Sequence, residues 1–397
     1  MRRVEHTLRA DDVQDLAGQL LSPLLGVWPP VRTCTRDVVI AILTYAASRI
    51  TSISDACARL RDAVDADIVL ARLAQQLVDR DTLDRRLRIL LQDSMPRCLR
   101  RGAWIIAIDT TLVPYHGKHF EQPDEVFRSQ PKSGTTHFHC YATAYVVRHG
   151  LRFTIAILPV SGGTPMCHVV RELRRRIVAA CIKPKLFLLD RGFNNAGVVR
   201  YLRAARQPFI MPQAVHGKKP RNGPPKGLRA IRESHRTGWT RYSWKPNDGS
   251  RRVRVDLCVL RRERSDRRGH RAFLYACWGV RRRPTEVYDV YRLRFGVETS
   301  YRQMNQVRIR TCSRNPTLRL LFVAVALLLR NLWAWLHWTT LAEPRRGGRR
   351  VRLARLRLRA MVNWMLHLVE AWLGWSDQTK TDHPPDQPLV ARRRLVA

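Results

Sequence analysis

The chain has 397 residues, with 72 Lys plus Arg against 32 Asp plus Glu, a formal charge of +40. That length allows two or three domains and a well-buried core. An Arg-rich codon bias would not easily explain so few acids. The charge is also too large for solubility alone, and it predicts salt-sensitive attraction to the phosphate backbone of nucleic acid. The nine cysteines form no CxxC pair and no secretory signal opens the chain, so reduced thiols in a cytoplasmic, nucleoid-associated protein are expected.

Residues 1–98 read as helical. Apolar residues recur at helical spacing in Val13, Leu16, Leu20 and Leu21, again in Val38, Val39, Ile42, Leu43 and Ala46, and again in Ile68, Val69, Leu70 and Leu73. Ser52 and Asp81 stand where N-caps belong. Arg59, Arg61, Arg72 and Arg80 suit a helix-turn-helix-like DNA-binding domain. A plain bundle docked on the core fits the same pattern.

From Gly102 the periodicity changes to strands. Trp104–Ile108 leads into Asp109, and the β-rich stretches Thr135–Val147 and Leu151–Val160 flank a turn at His149-Gly150. A basic helix follows at about Cys167–Cys181, carrying Arg171, Arg174, Arg175 and Arg176. Then come a strand at Lys185–Leu189 ending at Asp190, a helix near Asn195–Arg206 and a strand at Pro208–Val215. Three antiparallel strands, then helix, strand, helix, strand, is the ribonuclease-H-like α/β order, in which the first and fourth strands are neighbours. Asp109 and Asp190 are therefore expected side by side.

This first part of the core spans 99–215, and a β-rich insertion spans 216–285. It opens with the loop Gly217–Gly227 and continues in strands at Trp239–Lys245, Arg251–Leu260 and Arg271–Val280. The second part of the core, 286–343, begins with a helix over Val287–Arg308. Leu318–Leu341 is apolar but interrupted by Arg319 and by Arg330-Asn331. It reads as a core helix carrying Trp333, Trp335 and Trp338 rather than a membrane span. Residues 344–397 read as an Arg-dense helix from Pro344, then Trp364–Trp375, then a disordered tail.

The helix Val287–Arg308 carries the strongest local signal. Val287, Tyr291, Arg294, Glu298, Tyr301 and Asn305 advance by alternating steps of four and three, so they share one face. That face turns charged in its middle, so it meets something polar. A structural ion pair between Arg294 and Glu298 is the plain alternative, as a turn or helix cap is for each aspartate alone. Three acids on rigid elements of a basic chain point instead to divalent metals held against a phosphodiester. His116, His119, His137 and His139 cluster in sequence, but such histidines are more often surface or phosphate-facing groups than a zinc site. The segment Pro114–Lys118 suits a DNA contact or an ordinary turn.

The spacing Tyr291-x2-Arg294-x3-Glu298 resembles the Tyr-Arg-Glu-Lys signature of DDE transposases from bacterial and archaeal insertion sequences. In that family the third catalytic acid lies in this helix, after a β-rich insertion in a ribonuclease-H-like core. Asp109 in Ile-Asp-Thr-Thr resembles the first acid and Asp190 in Leu-Asp-Arg-Gly-Phe the second, and the likeness runs over roughly residues 100–335. One position departs from the signature: its Lys is Asn305 here, and Arg302 or Arg308 is left to supply the missing charge.

The resemblance implies that Asp109, Asp190 and Glu298 hold two Mg²⁺ (or Mn²⁺) ions about 4 Å apart. It makes Tyr291, Arg294, Arg302 and Asn305 DNA contacts. Water would free a 3′-hydroxyl at the element end, and that hydroxyl would attack target DNA. A hairpin excision intermediate is implied by the family alone. The implied partners are transposon-end DNA, target DNA and a second copy of the chain in a synaptic complex, with no membrane. A ribonuclease-H-fold nuclease without strand transfer uses the same acids. A non-catalytic helix-turn-helix protein leaves them unexplained.

Overall fold

A computed structural model describes residues 7–29, 33–117, 126–148, 151–215, 223–246, 249–263, 270–346 and 348–376; the side chains of His270, Arg271, Phe295, Val297 and Glu298 lie outside the description. The chain opens with α1 (Ala10–Leu25), α2 (Arg36–Arg49), α3 (Ile53–Ala58), α4 (Ala66–Gln76) and α5 (Arg80–Asp93). Ser52 caps α3 by accepting from the Asp55 amide. The cap of α5 is Asp79 rather than Asp81, because Asp79 reaches the amides of both Asp81 and Thr82.

The sheet begins with β1 (Ala103–Pro114), β2 (Phe127–Lys132), β3 (Thr135–Arg148) and β4 (Leu151–Val160). After α6 (Met166–Ala179) come β5 (Lys183–Leu189), α7 (Ala196–Ala204) and β6 (Phe209–Pro212). Next are α8 (Leu228–Ser234), β7 (Gly238–Trp244), β8 (Val253–Glu263) and β9 (His270–Trp278). The chain continues through α9 (Pro284–Arg292), α10 (Gly296–Asn305), α11 (Pro316–Thr339), β10 (Glu343–Arg345), β11 (Gly348–Arg350) and α12 (Leu358–Leu373). The expected turn at His149-Gly150, the start of the Gly217–Gly227 loop and the tail from 377 fall outside the described residues.

β3 pairs antiparallel with β1 and β4, while β5 runs parallel to β1 and β6 parallel to β5. The order β4-β3-β1-β5-β6 is a ribonuclease-H-like core. The inserted strands continue the same sheet, since β9 pairs antiparallel with β6 and β8 and β7 follow outward. β2, which has few of the alternating apolar residues that mark a strand, adds to the far edge of β3.

Two sequence expectations are corrected here. The helix expected over Val287–Arg308 is two helices, α9 and α10, separated by a 3-10 turn at Leu293–Phe295. Arg152 donates to the Leu293 carbonyl at 3.1 Å, and a Cβ on Gly296 would collide with its guanidinium. The Arg-dense helix expected from Pro344 is instead the β10–β11 hairpin. Pro344 and the Gly347-Gly348 pair favour a turn over a helix.

α9 buries Val287 and Tyr291 against Ala107, Leu188, Ile210 and Tyr275 on one sheet face. The N-terminal helices dock on this core: α1 and α2 lie against α12, and α5 against α11 and β4. Charge ties them in, through Arg49 with Glu370 and through Arg176 with Asp84 and Glu172. Arg176 of the basic helix is therefore a buried clamp. α11 has the length and hydropathy of a membrane span, yet 94% of its most apolar window is buried inside the protein. Its Asn331 amide both accepts from and donates to the Thr154 backbone, at 3.0 and 2.8 Å, clipping β4 in place.

Candidate active site

Asp109 does not end its strand, as the apolar run before it suggests. β1 continues to Pro114, and Asp109 falls where pairing with β5 stops after Ile108↔Leu189 while pairing with β3 runs on. The two strands part there, so Asp109 and Asp190 each stand one residue past the last shared pair. The sheet opens a notch at that point.

Asp109 is 8% exposed. Its Oδ1 accepts from the Thr110 amide at 2.9 Å, and its Oδ2 accepts from Arg294 Nη1 at 3.1 Å. Arg294 Nη2 lies 3.2 Å from Asp190 Oδ1. One guanidinium therefore bridges two carboxylates from neighbouring strands. Asp190 is not spent as a cap of the 3-10 turn that follows it, Arg191–Phe193. That turn is pinned by Asn194, whose amide donates to the Pro212 carbonyl at 2.8 Å.

Tyr291 orients the arginine. Its hydroxyl accepts from Arg294 Nε at 2.9 Å and donates to the Leu189 carbonyl at 3.3 Å. Burial holds the Tyr291 phenol well above its ordinary value, so it stays a donor. Burial works against the charge on Arg294, but Tyr291, Asp190 and Asp109 more than offset it, and its pKa is raised.

Glu298 lies in α10, with its side chain outside the described residues. The helix that carries it is anchored one turn further on. Tyr301 shares a 2.7 Å hydrogen bond with Thr143, the residue paired with Asp109 across the sheet, and its ring meets Tyr145 edge-on at 5.8 Å. From α11, Arg330 donates to the Arg152 carbonyl of β4 and to Ser300 and Gln303 of α10. Arg302 and Asn305 are exposed at the end of α10. Among the described residues no three potential metal-ligating side chains cluster. His137 and His139 share a strand face as expected, and His119 is outside the described residues.

Sequence reasoning missed Thr143 and the Tyr291–Leu189 bond. Thr143 is marked only by its cross-strand register with Asp109, which spacing along the chain does not reveal.

A ribonuclease-H-like sheet thus sets Asp109 and Asp190 side by side where β1 and β5 part. The transposase DDE domain family matches residues 100–332. The chain belongs to that family and is a transposase, an enzyme of DNA transposition. A piggyBac transposase, solved by cryo-EM in a synaptic complex with hairpin DNA, has a similar fold at a TM-score of 0.53 and 13% identity, covering 91% of this chain and 80% of that one. No curated protein matches the chain.

Proposed function

We propose that this transposase cuts DNA at the ends of its element and joins them to target DNA, with Asp109, Asp190 and Glu298 as its catalytic and metal-binding acids. The observation that supports the reading is the Arg294 fork, in which one guanidinium lies 3.1 Å from Asp109 Oδ2 and 3.2 Å from Asp190 Oδ1. Carboxylate oxygens suit Mg²⁺ or Mn²⁺, and Glu298 follows the fork in the next helix. Bound divalent ions would supply Lewis-acid activation of the attacking and leaving oxygens.

The chain's own groups bind and orient. Arg294 is permanently charged and forked, so it suits a phosphate beside the acids, and Tyr291 fixes its angle. Exposed Arg302 supplies the backbone charge that Asn305 lacks, and Asn305 adds a hydrogen bond. The helices over 1–98 and the β strands over 216–285 would recognise element ends, and the charge of +40 suits a nucleoid location. The related fold in a synaptic complex with DNA supports two copies bridging two ends. Cut-and-paste through a hairpin is the excision route this favours.

The test is Mg²⁺-dependent cleavage of labelled end DNA by Glu298→Gln, beside a binding assay on the same protein. Cleavage and joining should vanish while binding persists. Wild-type cleavage by this variant removes Glu298 from the site.

A further inference from the structure

A second cationic site lies on the same sheet face as Asp109. Side chains alternate along β1, so Asp109 and Val113 point the same way, and their partners on β3, Thr143 and His139, do too. Val113 and His139 line a cleft of about 420 Å³, with Arg308 and Arg310 on one wall and Arg319 on another. The four-residue step from Asp109 to Val113 spans about 13 Å of strand.

No carboxylate lines this cleft among its described residues. Arg319 is 5% exposed; it donates to the Ser313 carbonyl and stacks over Tyr115 at 5.0 Å. Among the described residues Arg308 and Arg310 form no ion pair and no side-chain hydrogen bond. The buried arginines elsewhere differ from Arg319. Arg176 and Arg294 are matched by two carboxylates each, and Arg330 is met by the Arg152 carbonyl, Ser300 and Gln303. Burial lowers the pKa of Arg308, with Arg310 adding to the effect, and lowers that of Arg319, with Arg308 adding to it. Arg308 is half-buried and Arg319 buried, with Arg310 exposed beside them, and buried cations without counter-charge are costly unless an anion arrives.

We propose that Arg308, Arg310 and Arg319 form a phosphate subsite that holds a DNA backbone phosphate a few nucleotides from the one cut. The position of the cut rests on the proposed active site; the subsite itself does not. It would set the strand's path across the sheet face.

The probe is duplex DNA carrying the inverted repeat that brackets the gene, bound to the full chain in EDTA over a salt series. Arg308→Gln/Arg310→Gln should flatten the slope of log affinity against log salt by about 0.9 for each lost phosphate contact. Arg308→Lys/Arg310→Lys should restore it, which separates charge from folding. Single methylphosphonate substitutions should reveal one backbone position that weakens wild-type binding roughly tenfold and has no further effect in the Gln pair. An unchanged slope, or penalties identical in both proteins, overturns the subsite. Stabilisation of the wild type alone by inorganic phosphate, with DNA slopes equal, would assign a small-anion site and also overturn it. Asp109→Asn keeps the two ideas apart: it should lose cleavage yet keep the wild-type slope. Normal cleavage by it would sink the active site and leave the subsite result standing.

Discussion

Arg294 Nη1 lies 3.1 Å from Asp109 Oδ2 across 185 residues of sequence. The same guanidinium reaches Asp190, so a side-chain cation lies between the acids. A metal held by Asp109 and Asp190, as proposed, would compete with Arg294 for the same carboxylate oxygens.

Arg294→Gln should therefore tighten Mn²⁺ binding to the DNA-free protein several-fold, while cleavage of end DNA falls. Titration calorimetry reads the first effect and a gel assay the second. Breaking a fully buried pair costs about 3–5 kcal/mol. Because the Asp190 side chain is 43% exposed, about 1–3 kcal/mol is expected here. Unchanged Mn²⁺ affinity would show that the arginine and the ion do not share a site.

Tyr301→Phe removes one of two partners of Thr143, which is fully buried and also hydrogen-bonded with Tyr145. Losing one buried hydrogen bond costs about 0.5–1.5 kcal/mol. Adding Thr143→Val should recover part of that loss, measured by urea denaturation. Cleavage by Tyr301→Phe should drop more than binding, because α10 carries Glu298. Equal losses in both would make the bond purely structural.

Acid should destabilise the fold in two stages. Burial, with Arg319 and Arg80 adding, holds His139 down at about 4 against an ordinary 6.5. As pH falls, the unfolded chain takes that proton first, so this stability is complete above 6.5 and is lost on the way down to 4. Glu172 is held at about 2 by its bonds to Arg175 and Arg176, against an ordinary 4.5. Its contribution is present above 4.5 and is lost between 4.5 and 2. Urea midpoints at pH 7 and pH 5 should differ less in His139→Asn than in the wild type. An identical pH response would show that His139 titrates normally.

DNA affinity should fall steeply with salt whatever the sequence, by about 0.9 log units per log unit of salt for each phosphate contacted. Filter binding on end and unrelated duplexes should give similar slopes. A flat response would mean that the excess of 40 positive charges serves something other than DNA.

Much of this was legible along the chain, because it is encoded locally. Strand-like patterning specified Leu151–Val160, helical spacing specified α2, and continuous apolar runs specified the strand before Asp190 and α11. Element order alone led to the neighbouring strands β1 and β5, and so to paired aspartates. Of the stepped positions, Arg294 meets two carboxylates and Tyr301 meets Thr143, though a 3-10 turn divides the run between two helices. Tertiary structure decided the rest, since those facts depend on register and on contacts between distant segments. It set Asp109 at the parting of β1 from β5, broke the α9–α10 run where Arg152 arrives, and drew the inserted strands into the core sheet. It also turned Arg294 toward both aspartates and gathered Arg308, Arg310 and Arg319 around a cleft without acids. Periodicity reports which face of an element is buried; which partner meets it is settled only when remote parts of the chain compete for the same space.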